Sequence, residues 1–320
     1  MSGAFARYAF LAVLSAVTAE FLLGDQYLSV GSPAGQVAEL VLYVAYYGSA
    51  AVVIREVTRR AGRGWPTILL LAFAFGVVEE GLLTQSLFDP DYLGLHKLAY
   101  GYLPSLGIGL PWTIFVLALH TIWSISAPIA VAEALFPGRA PWLGPRPVAG
   151  LAALYLLTGA VIAVGSAAAT TFRPSAAQLV VTVVVALAVV AAAFGMRRVP
   201  ADSPASGSGL VGAVLTFVLL SLFHLGHEAG PAWFACTVML VTLALLGFAL
   251  WRRRFPPGAV GAGAVGVYAW VGLANAAEHG AAAVAEQVVI IVLVLAAVAV
   301  ALRPRPRTRT PRDASSSSRR

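Results

Sequence analysis

The chain has 320 residues, of which 59% are hydrophobic and only 11% are charged. Soluble domains carry about 25% charged residues, so this composition excludes a water-soluble globular protein of this size. The net charge of +7 comes from arginines in short connecting segments and in the C-terminal tail, which is typical of membrane topology and not of nucleic-acid binding.

Ten apolar runs follow one another along the chain, each close to the roughly 20 residues that a helix needs to cross a bilayer. They cover residues 5–23, 36–57, 67–88, 111–135, 148–168, 176–195, 210–230, 232–251, 259–280 and 282–302. We therefore expect an all-α fold, a polytopic bundle of about ten transmembrane helices over residues 1–302. Residues 303–320, rich in Arg, Pro and Ser, are predicted to be a disordered basic cytoplasmic tail.

The basic residues predict the orientation of this bundle. With the N-terminus inside and ten alternating spans, 19 of the 21 basic residues fall on the cytoplasmic side, and only Lys97 and Arg173 fall outside. The positive-inside rule therefore places both termini in the cytoplasm and the protein in the cell membrane, with the lipid bilayer as its first partner.

Two further features concern helix packing. The segment 258–266 consists of Gly, Ala and Val only, which predicts close helix–helix contact. Pro128 removes the helical partner of the Ser124 carbonyl, so we expect a kink just inward of His120.

Ionisable side chains sort by side in this topology. All five histidines and ten of the fourteen acidic residues fall in the outer half. At a helical rise of about 1.5 Å per residue, Glu79, Glu80 and His120 lie about 3–5 Å outward of the midplane. Charges at this depth are costly and indicate a functional site, so we expect a polar pocket that opens to the extracytoplasmic side.

Two other helix faces carry potential metal ligands. His224, His227 and Glu228 are spaced i, i+3 and i+4, and Glu278 and His279 follow Asn275 in a similar pattern. Imidazole and carboxylate groups bind divalent metals such as zinc. The predicted metal ligands are His120, His224, His227, Glu228, Glu278 and His279. Solvated helix ends are an equal alternative for the four ligand candidates nearest the surface.

The segment from Gly76 to Gln85, which contains Glu79 and Glu80, resembles the first motif of the CAAX-protease and bacteriocin-processing (CPBP, or ABI-type) intramembrane proteases. That motif reads Glu-Glu-x-x-x-Arg, the second Phe-x-x-x-His, and the third His-x-x-x-Asn or a similar polar residue. The resemblance implies that Glu79, Glu80, His120 and His224 are catalytic. The chain departs from the pattern at Thr84, which stands at the arginine position, and at Val116, which stands at the phenylalanine position.

Three functions remain open from the sequence. The first is a CPBP-like intramembrane protease or hydrolase, in which a glutamate activates water and the histidines orient it, with a membrane-embedded peptide or small molecule as substrate. The second is a proton- or cation-coupled transporter, and the third a non-catalytic protein that binds a metal or another ligand. Polar residues are sparse in the inner half apart from Glu133, so a one-sided pocket is favoured over a path through the membrane.

Overall fold

The computed structural model describes residues 2–29, 31–196 and 205–303, so the predicted tail from residue 304 onward lies outside the described residues. Ten helices in this part of the chain are long and apolar enough to cross a membrane. We label them α1 to α10 in chain order. Their bounds are Gly3–Phe21, Ala34–Arg60, Trp65–Leu83, Leu110–Leu135, Pro145–Ala169, Ala176–Gly195, Gly209–Gly226, Ala232–Arg253, Pro257–Glu278 and Ala281–Ala301. The predicted all-α polytopic bundle is thereby confirmed.

The outer surface of the bundle is apolar along its length. Val161 of α5, Leu187 of α6, Leu240 of α8 and Leu293 of α10 are all exposed, together with many similar side chains. A surface of this kind is stable against lipid and not against water, because burying apolar area away from water is the main favourable term in folding. The α5 and α6 helices form part of this rim, since they are among the least buried of the ten.

The central element is α4, the most buried of the ten helices. One hydrophobic core joins it to α1, α7, α8, α9 and α10, with Trp123 fully buried in the middle. A second core joins the opposite face of α4 to α1, α2, α3 and α5 through Ile125 and Ile129. A polar group on α4 is therefore shielded from lipid on both sides.

Two ends of the bundle can be distinguished. Within the described residues, the acidic end contains residues 22–29, 31–33, 84–109, 170–175, 227–231 and 279–280, and the arginine end contains the described connections on the opposite side. The longest connection, residues 84–109, covers the acidic end with two short 3₁₀ turns, Tyr92–Gly94 and Lys97–Ala99, and an antiparallel hairpin of β1 (Tyr102–Leu103) and β2 (Ile108–Gly109).

Two helices are shorter than predicted from hydropathy. The α3 helix ends at Leu83 and not near residue 88, and α7 ends at Gly226 and not near residue 230. In α3, Gln85 has a positive φ of 61°, which no helix can accommodate. In α7, Gly230 has a positive φ of 63° just before Pro231, so the chain turns there. His227 and Glu228 therefore lie in a turn beyond the helix.

The small residues of α9 serve close packing, as expected. A Cβ added at Gly263 would lie 2.3 Å from the carbonyl oxygen of Ala213 on α7, and one added at Gly261 would lie 2.9 Å from the Cβ of Ala130 on α4. These distances are far below van der Waals contact, so only glycine allows the three backbones to approach this closely.

We expect Gly263→Ala to lower the free energy of unfolding by about 1–3 kcal/mol, since the new methyl group overpacks against backbone that cannot move aside. The matched control is Gly247→Ala on α8, where no atom lies within 4 Å of the added Cβ. Equilibrium unfolding in mixed detergent micelles measures both changes. Equal stability of the two variants would contradict the packing role of Gly263.

Candidate functional site

Three ionisable side chains meet in the interior near the acidic end. The Oε1 atom of Glu80 lies 2.6 Å from Nε2 of His120, and Oε2 of Glu79 lies 3.1 Å from Nδ1 of the same ring. All three residues are at least 95% buried. One ligand atom from each of them lies within 4.8 Å of the others. Among the described residues, this is the one group of three or more histidine, cysteine or acidic side chains close enough to share a metal ion. The similar depths predicted for Glu79, Glu80 and His120 agree with these contacts.

Local helix geometry positions these groups. The last turn of α3, Glu79–Leu83, is π-helical, and so is the middle of α4, His120–Ser126. A third π-helical turn, Val17–Phe21, ends α1 and carries Glu20. Single π turns inside α-helices are rare and occur frequently at functional sites. Each π turn in the described residues carries an ionisable side chain that faces this site.

The widened turn of α4 is stabilised by hydroxyl groups from α1. Ser15 donates a hydrogen bond of 2.5 Å to the Ser124 carbonyl, the one expected to lose its helical partner through Pro128. Thr18 donates a bond of 2.9 Å to the neighbouring carbonyl of Trp123. Buried carbonyls of the π turn thus have partners, which makes the distortion of α4 a built feature of the fold.

The carboxyl group of Glu80 is held from the side facing the loop. Its Oε2 atom accepts hydrogen bonds from Ser86 and, at 3.1 Å, from Thr84. The indole of Trp112 in turn donates to the Ser86 oxygen at 3.2 Å. Thr84, which stands at the arginine position of the CPBP motif, therefore orients the glutamate through a neutral hydroxyl.

Close approach of α3 and α4 depends on Gly76. A Cβ at this position would lie 3.1 Å from the Cβ of His120, tighter than ordinary contact. The imidazole is further fixed by the ring of Tyr47, which lies parallel to it at 6.2 Å, and by the edge of Phe75 at 5.9 Å. The side chain of His120 is thus held between a carboxyl pair and two aromatic rings.

Two residues that the sequence had not assigned to the site extend it toward α1 and α2. The hydroxyl of Tyr47 lies 2.6 Å from Oε1 of Glu20 and 2.6 Å from Oε1 of Glu79. A phenol has one proton and can donate only one of these bonds. One of the two carboxyl groups must therefore carry a proton and donate to the phenol oxygen, so Glu20, Tyr47 and Glu79 share protons along a continuous chain.

Residues at the acidic end interact electrostatically with the buried cluster. Asp25 keeps a water-accessible surface, yet protein surrounds it closely enough for desolvation to raise the pKa of its carboxyl to about 6, against the lowering effect of His120 and Lys97. Burial, followed by the charges of Glu80 and Glu79, raises the pKa of Tyr92 in the covering loop. Asp25 and Tyr92 thus lie close enough to the buried cluster to interact with its charges.

The α9 helix contributes a further polar group near Asp25 and Glu20. Tyr268 is fully buried and stacks on Trp123 at 4.5 Å. Its hydroxyl interacts electrostatically with Asp25 and Glu20 but makes no hydrogen bond within the described residues. Buried hydroxyls without a hydrogen-bond partner are rare in native proteins, which sets Tyr268 apart from the packed tyrosines.

His224 lies in a different environment from the cluster. Its ring packs against Phe115 at 5.5 Å, against Trp270 at 5.8 Å and against His227 at 5.3 Å. The structure thus brings Glu79, Glu80 and His120 together, and it places His224 among aromatic rings of α4 and α9.

The remaining ligand candidates lie at the surface of the acidic end. Glu228 accepts a hydrogen bond from Lys97, which holds the pKa of this carboxyl below its usual value. His227 stacks on Phe115 at 4.2 Å. Glu278 and His279 are exposed, and Nδ1 of His279 bonds the Asn275 carbonyl at 3.1 Å. These four residues therefore make contacts typical of helix ends, and Glu228 also holds the covering loop through Lys97.

Toward the arginine end, the site is followed by packed apolar side chains. Ala51, Ile68, Ala72, Ile125 and Ile129 have no exposed surface and belong to one core. Beyond this layer lies a buried ion cluster, in which Arg55 pairs with Glu56 at 2.5 Å and with Glu133 at 3.1 Å, and Arg59 pairs with Glu133 at 2.6 Å.

Fold and site together define a multi-pass membrane protein with a buried Glu-Glu-His group. Residues 9–311 match the model of an uncharacterized membrane protein family, and since the match covers most of the chain, the protein belongs to that family. No curated protein and no solved structure matches the chain. The family match supports a membrane protein and does not extend to the CPBP proteases, so that resemblance stays a prediction.

Proposed function

We propose that the protein is an intramembrane hydrolase in which Glu80 is the general base for water and His120 is its acid–base partner. The observation that carries this proposal is the 2.6 Å contact between Oε1 of Glu80 and Nε2 of His120 at a position buried from lipid. A carboxyl and an imidazole within hydrogen-bond distance can act as the general base and the general acid of a hydrolysis reaction.

The chemistry follows from these groups. An ionised Glu80 removes a proton from water, and the oxygen attacks the carbonyl carbon of an ester or amide substrate. A protonated His120 stabilises the developing oxyanion and then donates its proton to the leaving group. Glu79, Tyr47 and Glu20 provide a route for proton exchange from the site toward Asp25 at the acidic end.

The resemblance to the CPBP proteases supports the same reaction class. The paired glutamates and His120 are the matching residues, and they lie in contact. The third motif would bring His224 to the glutamates, yet its ring contacts lie with Phe115 and Trp270. The proposal therefore rests on Glu80 and His120, with Glu20 and Tyr47 completing the polar group in the place of a second histidine.

A pocket is favoured over a transport path by what lies on either side of the cluster. The acidic-end side has water-accessible surface at Asp25, whereas the other side is filled by fully buried apolar residues such as Ile125 and Ile129. A proton or cation path would need polar groups through that layer. By the positive-inside rule, the acidic end faces the extracytoplasmic side of the cell membrane.

The test is hydrolysis by purified protein in lipid nanodiscs, with fluorogenic transmembrane peptides and acyl esters as substrates. We expect Glu80→Gln to lower the rate at least tenfold, since an amide cannot accept the proton from water. Glu278→Gln, an exposed carboxyl of α9, is the matched control and is expected to retain the rate. Equal rates of Glu80→Gln and wild type, or no hydrolysis of any substrate, would contradict the proposal.

A further inference from the structure

The Glu79, Glu80 and His120 side chains each have one polar atom fixed by a residue outside the group, and their other polar atoms converge on one another. We propose that these three residues bind a divalent transition-metal ion, for which zinc is the best match. The metal site does not depend on hydrolysis, because a protein that only binds or senses the metal would need the same ligands.

Glu80 illustrates the division between its two oxygens. Ser86 and Thr84 both donate to Oε2, which fixes the plane of the carboxyl group. The Oε1 atom lies on the other side, 2.6 Å from Nε2 of His120. Metal-binding carboxylates are typically oriented in this way, by hydrogen bonds to the oxygen that does not bind the ion.

Glu79 and His120 show the same arrangement. Tyr47 contacts Oε1 of Glu79, while Oε2 lies 3.1 Å from Nδ1 of His120 but makes no hydrogen bond in the described residues, although the side chain is 96% buried. Ser124 lies 3.0 Å from Nδ1 of His120, while Nε2 lies 2.6 Å from Oε1 of Glu80, a contact that a bound metal ion would replace. An unpartnered carboxyl oxygen in a buried position is costly unless a cation or a proton occupies the space beside it.

Charge around the cluster points to a cation. Four carboxyl groups, those of Glu20, Asp25, Glu79 and Glu80, lie close enough to interact with one another or with His120. Lys97 is the nearby lysine, and it is already bonded to Glu228. One divalent ion would offset two of these carboxylates at once, in a region where uncompensated charge is expensive.

Donor types select the kind of metal. Magnesium and calcium prefer oxygen ligands only, whereas zinc binds imidazole nitrogen together with carboxylate oxygen. Bonds of about 2.0–2.2 Å to zinc place ligand atoms about 3–4 Å apart, so a 4.8 Å cluster needs only small side-chain rotations. Three protein ligands also leave a fourth position open for water, as in catalytic zinc sites.

The experiment measures zinc content directly. Protein carrying no histidine tag is purified in detergent, stripped with a chelator, dialysed against micromolar ZnCl₂ and analysed by mass spectrometry of the metal. We expect about one zinc per chain in wild type, and less than about a tenth of that in Glu79→Gln, Glu80→Gln and His120→Ala. Glu278→Gln and His279→Ala, which alter the exposed pair suggested by the sequence pattern, are expected to retain the metal.

A second measurement guards against misfolded variants. Zinc is expected to raise the thermal midpoint of wild type and of both controls and to leave the midpoint of the three site variants unchanged. Wild type without bound zinc, zinc retained by all three site variants, loss of zinc in Glu278→Gln or His279→Ala, or a preference for magnesium would each overturn the proposal. If wild type binds no zinc but still hydrolyses substrate in a Glu80-dependent way, the metal site is overturned and the proposed hydrolase function is not.

Discussion

Replacing Arg55 with methionine is expected to lower the free energy of unfolding by about 3–5 kcal/mol, the range for breaking a buried ion pair on one side. Arg55 has no exposed surface, and its guanidinium pairs with Glu56 at 2.5 Å and with Glu133 at 3.1 Å. It also lies 3.5 Å from the ring centroid of Trp142. Methionine fills similar volume but leaves Glu56 without its cationic partner and Glu133 paired with Arg59 alone.

The matched control for this prediction is Arg60→Met, in the last turn of the same helix. Arg60 is exposed and donates one hydrogen bond to the Leu143 carbonyl, so its loss is expected to change stability by about 0.5 kcal/mol or less. Arg55→Lys keeps the charge but not the planar fork, and an intermediate value is expected. Unfolding in mixed detergent micelles measures all three, and similar stability of Arg55→Met and Arg60→Met would show that the ion cluster contributes little.

The buried ion cluster also illustrates what the sequence could predict. The positive-inside rule predicts that Arg55 lies near the cytoplasmic end of its span, and Glu133 is the main polar residue predicted in that half. Hydropathy and charge counts determine how many helices cross the membrane, and these ten are confirmed. They carry no information on which helices touch, so the pairing of α2 with α4 through Arg59 and Glu133 could not be predicted.

Part of the site was predictable for a physical reason. Charges are so costly in lipid that Glu79, Glu80 and His120 stood out, and a constant helical rise gave their common depth. The same argument applies to Glu20, which lies inside the first apolar run and could have been found from it. Tyr47 gave no such signal, because a tyrosine in a membrane helix is more often a packing or interface residue.

Helix ends explain the remaining differences. The spacing of His224, His227 and Glu228 predicted one face of α7, but the helix stops at Gly226. Hydrophobicity near that end does not distinguish a final helical turn from the chain reversal that Gly230 and Pro231 impose. The π turns were likewise invisible to periodicity, although Pro128 correctly indicated a distortion of α4 near Ser124.

Tyr47→Phe is expected to have a large effect on the chemistry of the site and a smaller one on the fold. The Tyr47 hydroxyl is the link between the carboxyl groups of Glu20 and Glu79, at 2.6 Å to each. Without this hydroxyl, the two carboxyl groups lose their shared proton path and a buried hydrogen-bond partner. The free energy of unfolding is expected to fall by about 1–3 kcal/mol, the cost of a buried polar group left unsatisfied. We expect the rate of hydrolysis to fall about 10–100-fold with little change in KM, since Tyr47 acts on Glu79 and not on the substrate.

A spectroscopic measurement tests the shared proton without any substrate. Infrared spectra of wild type, compared with those of the variants, are expected to contain the carbonyl stretch of a buried protonated carboxyl. One phenol proton cannot bond two carboxylates, so either Glu20 or Glu79 must itself carry a proton. This band should shift in Tyr47→Phe and lose intensity in Glu20→Gln. Tyr46→Phe is the control, since Tyr46 is as buried but its hydroxyl does not bond Glu20 or Glu79. A wild-type spectrum without the band, or one that Tyr47→Phe leaves unchanged, would mean that Glu20 and Glu79 are both ionised and that a bound cation, not a proton, balances their charge.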